Sequence, residues 1–296
     1  MNQLWPKVSF IIPTYNEQGN IVRCINSIHK QQYPNSEIIV IDANSTDDTA
    51  LIAMSMGARI LYNDKQWAEY GVQMGVKEAK GEYIVNMSAD NELKGTRWID
   101  RVLNDFKKGV DCVWGKMLSR DDDRSINKYY ALLQTEPLTW WLEQISIKKL
   151  YIWGGNSIIY RASVIKKYWD KPHYVGDNDA FQYMIEDRGL NVYYDEELYI
   201  YHHCIKGLWH WVKKWYRNHL HHYQEHKDTR NMRWIMGKWF YVKVFLWCIY
   251  VLSIIPLVLH SIVMALVDKK WEWIWHIPCS YAQCGVYLWI NIKLLL

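Results

Sequence analysis

The sequence predicts an α/β fold, a mostly parallel sheet flanked by helices, over residues 1–205, then a basic, tryptophan-rich stretch at 206–238 and two hydrophobic membrane segments at 239–296. Three observations predict it. Strand-like apolar runs alternate with helix-like periodic stretches from Val8 to Trp114, the order that builds parallel sheets with helices on both faces. Residues 38–41 are β-branched and apolar without alternation, as in a strand covered on both sides, and they run straight into a carboxylate-rich turn at 42–49. Near the carboxyl terminus the apolar runs become long enough for a bilayer.

Residues 8–12 form the first expected strand, closed by Pro13, Thr14, Tyr15, Asn16 and Glu17, and Ile21, Ile25 and Ile28 then recur at helical spacing. The second strand is 37–41. Ser45 and Asp48 stand at capping-box spacing, so a helix is expected over 46–56 with Gly57 placed to end it. A short strand at 58–62, a helix at 67–79 closed by Gly81, and a strand at 83–87 follow. Trp98, Ile99, Val102, Leu103 and Phe106 mark an amphipathic helix before a strand at 111–114. The first strand is not followed by G-x-G-x-x-G, and there is no Walker lysine loop, which disfavours a dinucleotide or P-loop site.

At 296 residues the chain can bury a full core. A net charge of +4 leaves no nucleic-acid footprint, so no nucleic-acid partner is expected. The six cysteines are widely spaced without metal-ligand pairing and read as reduced thiols. Pro13 interrupts the only apolar run near the amino terminus, so no secretory signal is expected. The chain has 18 tryptophans and 22 tyrosines against 5 phenylalanines, a set weighted toward rings with a polar handle that collect at membrane interfaces and sugar-binding surfaces.

The strand at 83–87 also ends in an acidic turn, so Asp42 and Asp90 offer oxygen ligands at the carboxyl edge of the sheet, where α/β folds bind ligands. Hard oxygen donors beside a diphosphate suit Mg2+ or Mn2+. An acidic surface turn is the plain structural alternative. The blocks 8–17 (VSFIIPTYNE), 41–49 (IDANSTDDT) and 80–91 (KGEYIVNMSADN) together resemble the family 2 glycosyltransferases of the GT-A fold, in order over roughly 8–205. The likeness is to the membrane-attached bacterial or archaeal type with a C-terminal transmembrane hairpin.

That resemblance implies that Pro13, Thr14, Tyr15 and Glu17 line the nucleotide, with Asn44, Ser45, Ser88 and Ala89 beside it. Asp42 would hold the base edge or the ribose, and Asp90 the metal at the D-x-D position, whose first aspartate is here Ser88. It also implies a general base in the stretch 175–189, where Asp177 and Asp179 flank Asn178; Asp177, beside Gly176, is favoured, and either aspartate could instead cap a helix. Trp153, Gly154, Gly155 and Asn156 would meet the acceptor, since tight glycines let it approach the backbone. His202 or His203 would reach the diphosphate or metal, with a buried structural hydrogen bond as the competing role.

Residues 206–233 mix Lys, Arg, His and Trp, with Trp211 and Trp215 at helical spacing beside Lys213, Lys214 and Arg217, a composition suited to an anionic membrane surface. Residues 244–267 are expected to span the bilayer, 271–292 form a second candidate with Glu272 and His276 near its start, and a dimerisation hairpin is the alternative for both. The basic run places the amino-terminal domain in the cytoplasm of a multi-pass cell-membrane protein. The reading is an inverting, metal-dependent glycosyltransferase that moves a sugar from a UDP- or GDP-type donor to a lipid-linked saccharide. A polyprenyl-phosphate acceptor or a non-catalytic membrane scaffold stands as the alternative. A nucleotidyltransferase would need a glycine- and lysine-rich triphosphate loop, which the sequence lacks.

Overall fold

The computed structural model describes residues 5–135, 157–168, 189–225 and 240–295. The chain divides into two compact units, Met1–Leu118 with Tyr151–His203, and Ser119–Leu150 with Cys204–Leu296. Of the described residues, 119–135 group with the second unit.

Among the described residues, the first unit holds one eight-stranded sheet in the order β3-β2-β1-β4-β7-β6-β8-β5. Its strands are β1 (Val8–Thr14), β2 (Ser36–Asp42), β3 (Arg59–Tyr62), β4 (Tyr83–Asn86), β5 (Asn91–Leu93), β6 (Cys112–Leu118), β7 (Ile158–Arg161) and β8 (Val192–His202). β1–β2, β1–β4, β2–β3 and β6–β8 are parallel, while β4–β7, β6–β7 and β5–β8 are antiparallel. The expected parallel sheet is therefore the β3-β2-β1-β4 half, and the other half is mixed. Helices α1 (Ile21–His29), α2 (Thr49–Ser55), α3 (Ala68–Glu78) and α4 (Trp98–Phe106) join the first six strands.

Each face of the sheet has its own core. Ile21, Cys24, Ile25 and Ile28 of α1 and Trp98, Ile99, Val102 and Phe106 of α4 pack with Phe10, Ile12 and Val40 on one face. Val72 and Val76 of α3 pack with Ile11, Ile39 and Ile41 on the other. The approach of α3 is close: a Cβ on Gly75 would sit 2.9 Å from Ile11 and Ile41 side-chain carbons, so only glycine lets the helix lie there.

β5 was not expected from the sequence. It pairs with β8 at the far edge, yet α1 also holds its strand, since the Leu93 N–H donates to Ser27 Oγ at 2.9 Å and Gln31 Nε2 donates to the Gly95 carbonyl at 2.8 Å. The sheet must curl around α1 for one strand to meet both. Gly115 allows the irregular β6–β8 pairing beside it, because a Cβ there would fall 1.9 Å from the Leu198 carbonyl oxygen.

The second unit is helical: α5 (Ser125–Thr135), α7 (Leu208–Glu225), α8 (Phe240–Leu252), α9 (Ile254–Val267), a 3-10 turn (Trp271–Trp275) and α10 (His276–Leu295); α6 (Ala162–Tyr168) belongs to the first unit. Its core gathers Ile126, Tyr129, Trp211, Met264 and Trp273. Trp211 is thus an interior residue and not part of a membrane-facing surface, whereas Trp209 is exposed.

The expected span at 244–267 is not one helix. Phe245–Leu252 and Ile254–Val267 meet at a bend of 84°, and no single helix among the described residues is long and apolar enough to cross a membrane. The cause is local. Pro256 has no N–H to give the Leu252 carbonyl, and its ring would clash there in a continuous helix, so the chain breaks at Ser253 and restarts with Pro256 in the new first turn. In the second candidate, Glu272 and His276 are buried within the unit.

Candidate active site

The carboxyl ends of β1, β2 and β4 lie side by side because these strands are parallel and adjacent. Thr14 closes β1 opposite Asp42, the last residue of β2. The two loops that leave here are laced together. The Asn16 N–H donates to Ser45 Oγ at 2.9 Å, and the Thr46 N–H donates to Asn16 Oδ1 at 2.8 Å. The Glu17 N–H donates to Thr49 Oγ1 at 2.8 Å, the Gln18 N–H to Asp47 Oδ2 at 3.2 Å, and the Asp48 N–H to Gln18 Oε1 at 3.1 Å. Asn16 and Asn44 take φ values of 54° and 59°, a left-handed geometry that asparagine tolerates.

Asp42 is buried, and its oxygens accept from the Ser45 N–H at 2.8 Å and the Ser45 hydroxyl at 2.5 Å. A carboxylate offers about four lone-pair sites, so it can fold the turn and still accept from a ligand. The expected capping box does not form, because Ser45 is engaged by Asp42. Asp47 takes over, accepting from the Thr49 N–H at 3.1 Å and from the Thr49 hydroxyl, and α2 starts at Thr49. Burial raises the Asp47 carboxyl, but the Thr49 hydroxyl and the backbone N–H donors outweigh it and hold the group below the usual carboxylate range.

Pro13 is partly buried at this edge, while Tyr15 is 51 % exposed and offers a ring face on which a base can stack. Thr14 Oγ1 is buried without a hydrogen-bond partner, a polar atom suited to a ligand. Asn44 is exposed and Ser45 partly so.

The second half of the site forms where β4 gives way to β5. Ser88 is partly buried, Ala89 is buried, and Asp90 is followed by Asn91, which pairs with His202 across the β5–β8 ladder. The His203 N–H donates to the Asp90 carbonyl at 2.8 Å. This pairing brings His202 Nε2 to 3.1 Å from Asp90 Oδ2 and His203 Nε2 to 3.4 Å from Glu92 Oε2. His202, not His203, meets the aspartate.

His202 Nδ1 lies 2.9 Å from Met117 Sδ, a weak acceptor, and in the tautomer with its proton on Nδ1 the Nε2 lone pair faces Asp90 Oδ2. In that tautomer the lone pair and the carboxylate oxygen form a pair of donors for a cation. Two cis ligands of an octahedral ion with bonds of about 2.1 Å lie about 3 Å apart, so the observed separation fits a divalent metal held by one oxygen and one imidazole nitrogen.

Cys24 ties the two halves of the site together. Burial, and then the carboxylates of Asp90, Glu17 and Glu92, push its thiol well above the ordinary value, so it stays an inert thiol. Asp177, Asp179, Trp153, Gly154, Gly155 and Asn156 lie outside the described residues. Sequence reading missed the bracing roles of Asn16, Asp47 and Thr49, for which the alternating turn formers in 44–49 were the available signal. It also missed Glu92 as the partner of His203, which only the β5–β8 register reveals.

Residues 9–185, well over half of the chain, match the family model described as Glycosyl transferase family 2. Glycosyltransferase AglE of Haloferax volcanii is 32 % identical over 126 residues, covering 40 % of this chain and 41 % of that protein. The GalNAc(5)-diNAcBac-PP-undecaprenol beta-1,3-glucosyltransferase of Campylobacter jejuni is 37 % identical over 95 residues, 30 % of this chain and 31 % of that protein. The matches thus span about two fifths or less of the length of these relatives. Among solved structures, the mannosyltransferase PcManGT of Pyrobaculum calidifontis in complex with GDP-Man and Mn2+ superposes with a TM-score of 0.60 at 15 % identity, covering 97 % of this chain and 88 % of that one. S. aureus TarS 1-349 with UDP-GlcNAc gives 0.53 at 17 % identity, covering 81 % and 72 %. These likenesses establish the fold.

Proposed function

The chain belongs to glycosyl transferase family 2, and from that premise we propose an inverting, metal-dependent enzyme that moves a sugar from a UDP- or GDP-type donor to a lipid-linked saccharide. The observation that carries it is the Asp90–His202 pair beside the laced loops 15–20 and 42–49 at one edge of the sheet. The ligands named for the similar structures, GDP-Man with Mn2+ and UDP-GlcNAc, support the donor class, and the undecaprenol-linked acceptor in the name of the Campylobacter relative supports a lipid-linked one.

In this reading Tyr15 stacks the base, Asp42 and Thr14 hydrogen-bond the nucleoside, and Asp90 with His202 holds Mn2+ or Mg2+. An ion held there would supply positive charge beside the diphosphate leaving group. The acceptor oxygen attacks the anomeric carbon opposite the leaving group, the bond to the diphosphate oxygen breaks as the new one forms, and the configuration inverts. The acceptor proton passes to Asp177 or Asp179, with Asp177 favoured. A polyprenyl phosphate would bring its own ionised oxygen and need no base.

The exposed apolar helices of the second unit, with Trp209 and the exposed Lys213 and Arg217 of α7, favour attachment to a membrane with the catalytic unit in the cytoplasm. The test is thermal stabilisation by a series of nucleoside diphosphates with Mn2+ and with chelator, since a ligand at about a hundred times its Kd adds about 2.7 kcal/mol of stability. Metal-dependent stabilisation by UDP or GDP is expected; no stabilisation by any nucleotide would favour a scaffold over an enzyme.

A further inference from the structure

The helical unit carries a large exposed apolar surface that its own core does not use. On α9, Ile255, Leu259, Ile262 and Leu266 are exposed at helical spacing, while Leu257, Ser261 and Met264 are buried on the other side. On α8, Phe245 and Ile249 are exposed at the same spacing. A surface of this extent marks an interaction site.

Among the described residues, neither helix behind it is long enough by itself to cross a bilayer. α8 has 13 residues and α9 has 14, about 20 and 21 Å, against a hydrocarbon core of about 30 Å. The 84° bend between the apolar stretches turns the second away from the line of the first. Side chains fasten that bend. Tyr250 of α8 and His260 of α9 meet at 2.5 Å, although ten residues of straight helix would hold them about 15 Å apart.

The far end is fastened as well. Ser261 Oγ donates to the Trp273 carbonyl at 2.7 Å, and Trp273 Nε1 donates to Asp268 Oδ2 at 2.7 Å, so the chain folds back after α9. Around the apolar surface stand the exposed Lys269, Lys270 and Trp271, and Lys293 Nζ lies 5.7 Å from the Trp289 ring, the pairing of aromatic and cation found at headgroup depth.

We infer that the α8–α9 elbow is a re-entrant wedge seated in one leaflet of a lipid bilayer, entering and leaving by the same face. The inference rests on the membrane attachment proposed above and replaces the crossing expected for 244–267. Lipid is favoured over a second copy of the chain because the exposed apolar stripe of α9 runs directly into the exposed Lys269, Lys270 and Trp271, cations and an aromatic ring suited to a headgroup layer.

The test places a single reactive cysteine at Lys213 on α7 or at Lys270 after α9, both exposed, in the full chain with Cys248→Ser, and labels sealed membrane vesicles with an impermeant maleimide. Lys213→Cys and Lys270→Cys should show the same accessibility, with both labelled fully once the vesicles are opened. Opposite accessibility would overturn the wedge and restore a crossing. Recovery of the protein as a soluble dimer without detergent would instead defeat the membrane reading itself and assign the surface to a second copy.

Discussion

In the sheet-bearing unit His202 and His203 face carboxylates, Asp90 at 3.1 Å and Glu92 at 3.4 Å, whereas in the helical unit His276 lies between two phenols, Tyr129 and Tyr250, each at 2.8 Å. The second arrangement closes on itself. With the Tyr129 hydroxyl donating to His276 Nδ1, His276 Nε2–H to the Tyr250 oxygen and the Tyr250 hydroxyl to His260 Nδ1, all three contacts are made by neutral groups. Such a run fixes helices with neutral groups. In the first, a proton on His202 Nδ1, toward Met117 Sδ, leaves the Nε2 lone pair facing a carboxylate, an arrangement that a cation completes. A histidine's partner, more than its burial, decides whether it is structure or site.

The most direct way to break this contrast is Asp90→Ala. Transfer should fall to background, and the Mn2+-dependent part of the stabilisation by nucleoside diphosphate should vanish, while binding in chelator stays as in the wild type. Equal metal-dependent shifts in both proteins would remove the metal from Asp90. Next in size, Asp177→Asn should lower turnover about a hundred- to ten-thousandfold with a sugar-hydroxyl acceptor and leave nucleotide binding intact. Asp179→Asn should cost about 1 kcal/mol of cap stability and little rate. If their effects are reversed, the base is Asp179; if neither slows transfer, a phosphate oxygen is the nucleophile.

A paired substitution sharpens the contrast. His202→Gln should weaken metal binding by at least the ten- to hundredfold seen when the surroundings of a metal site are disturbed. His276→Gln should leave the metal titration unchanged and cost about 1–3 kcal/mol of stability, because it leaves buried phenols without a full set of partners. A metal titration that moves equally in both variants would show that the distinction drawn from their partners is wrong.

The parts of the molecule that were legible in the sequence are those fixed by neighbours along the chain. Ile21, Ile25 and Ile28 repeat with the helix, and the stripe Trp98, Ile99, Val102, Leu103 and Phe106 marked α4, all five falling within Trp98–Phe106. The Asp42 turn was legible as a site but not as a scaffold, because the hydrogen bonds of Ser45, Asp47 and Thr49 reach to Asn16, Gln18 and Glu17 some thirty residues away. β5 has three residues and exists only through β8 and α1. Hydropathy sums apolarity without direction, so 244–267 read as a span; Pro256, four residues after Leu252, was the signal of a break.

The smallest effect tests whether the acid-rich turn is scaffold or surface. Asp47 holds its carboxyl below the ordinary value through the Thr49 hydroxyl and the Thr49 and Gln18 N–H groups, which outweigh the opposing cost of burial. Its folded pKa is therefore lower than the unfolded value of about 3.9, and between the two the unfolded chain binds the extra proton. That contribution to stability is present above about pH 4 and is lost as the pH falls through the folded pKa. Asp47→Asn lacks it, so the melting temperature of the variant should fall less steeply than that of the wild type below about pH 4, and the two curves should run parallel at neutral pH. Because the lost bonds lace the loop that carries Tyr15 and Glu17, the variant should also bind nucleoside diphosphate a few-fold more weakly at neutral pH, in line with about 0.5–1.5 kcal/mol for one hydrogen bond. Identical acid limbs and identical nucleotide affinity would return this turn to the solvent as an ordinary acidic surface.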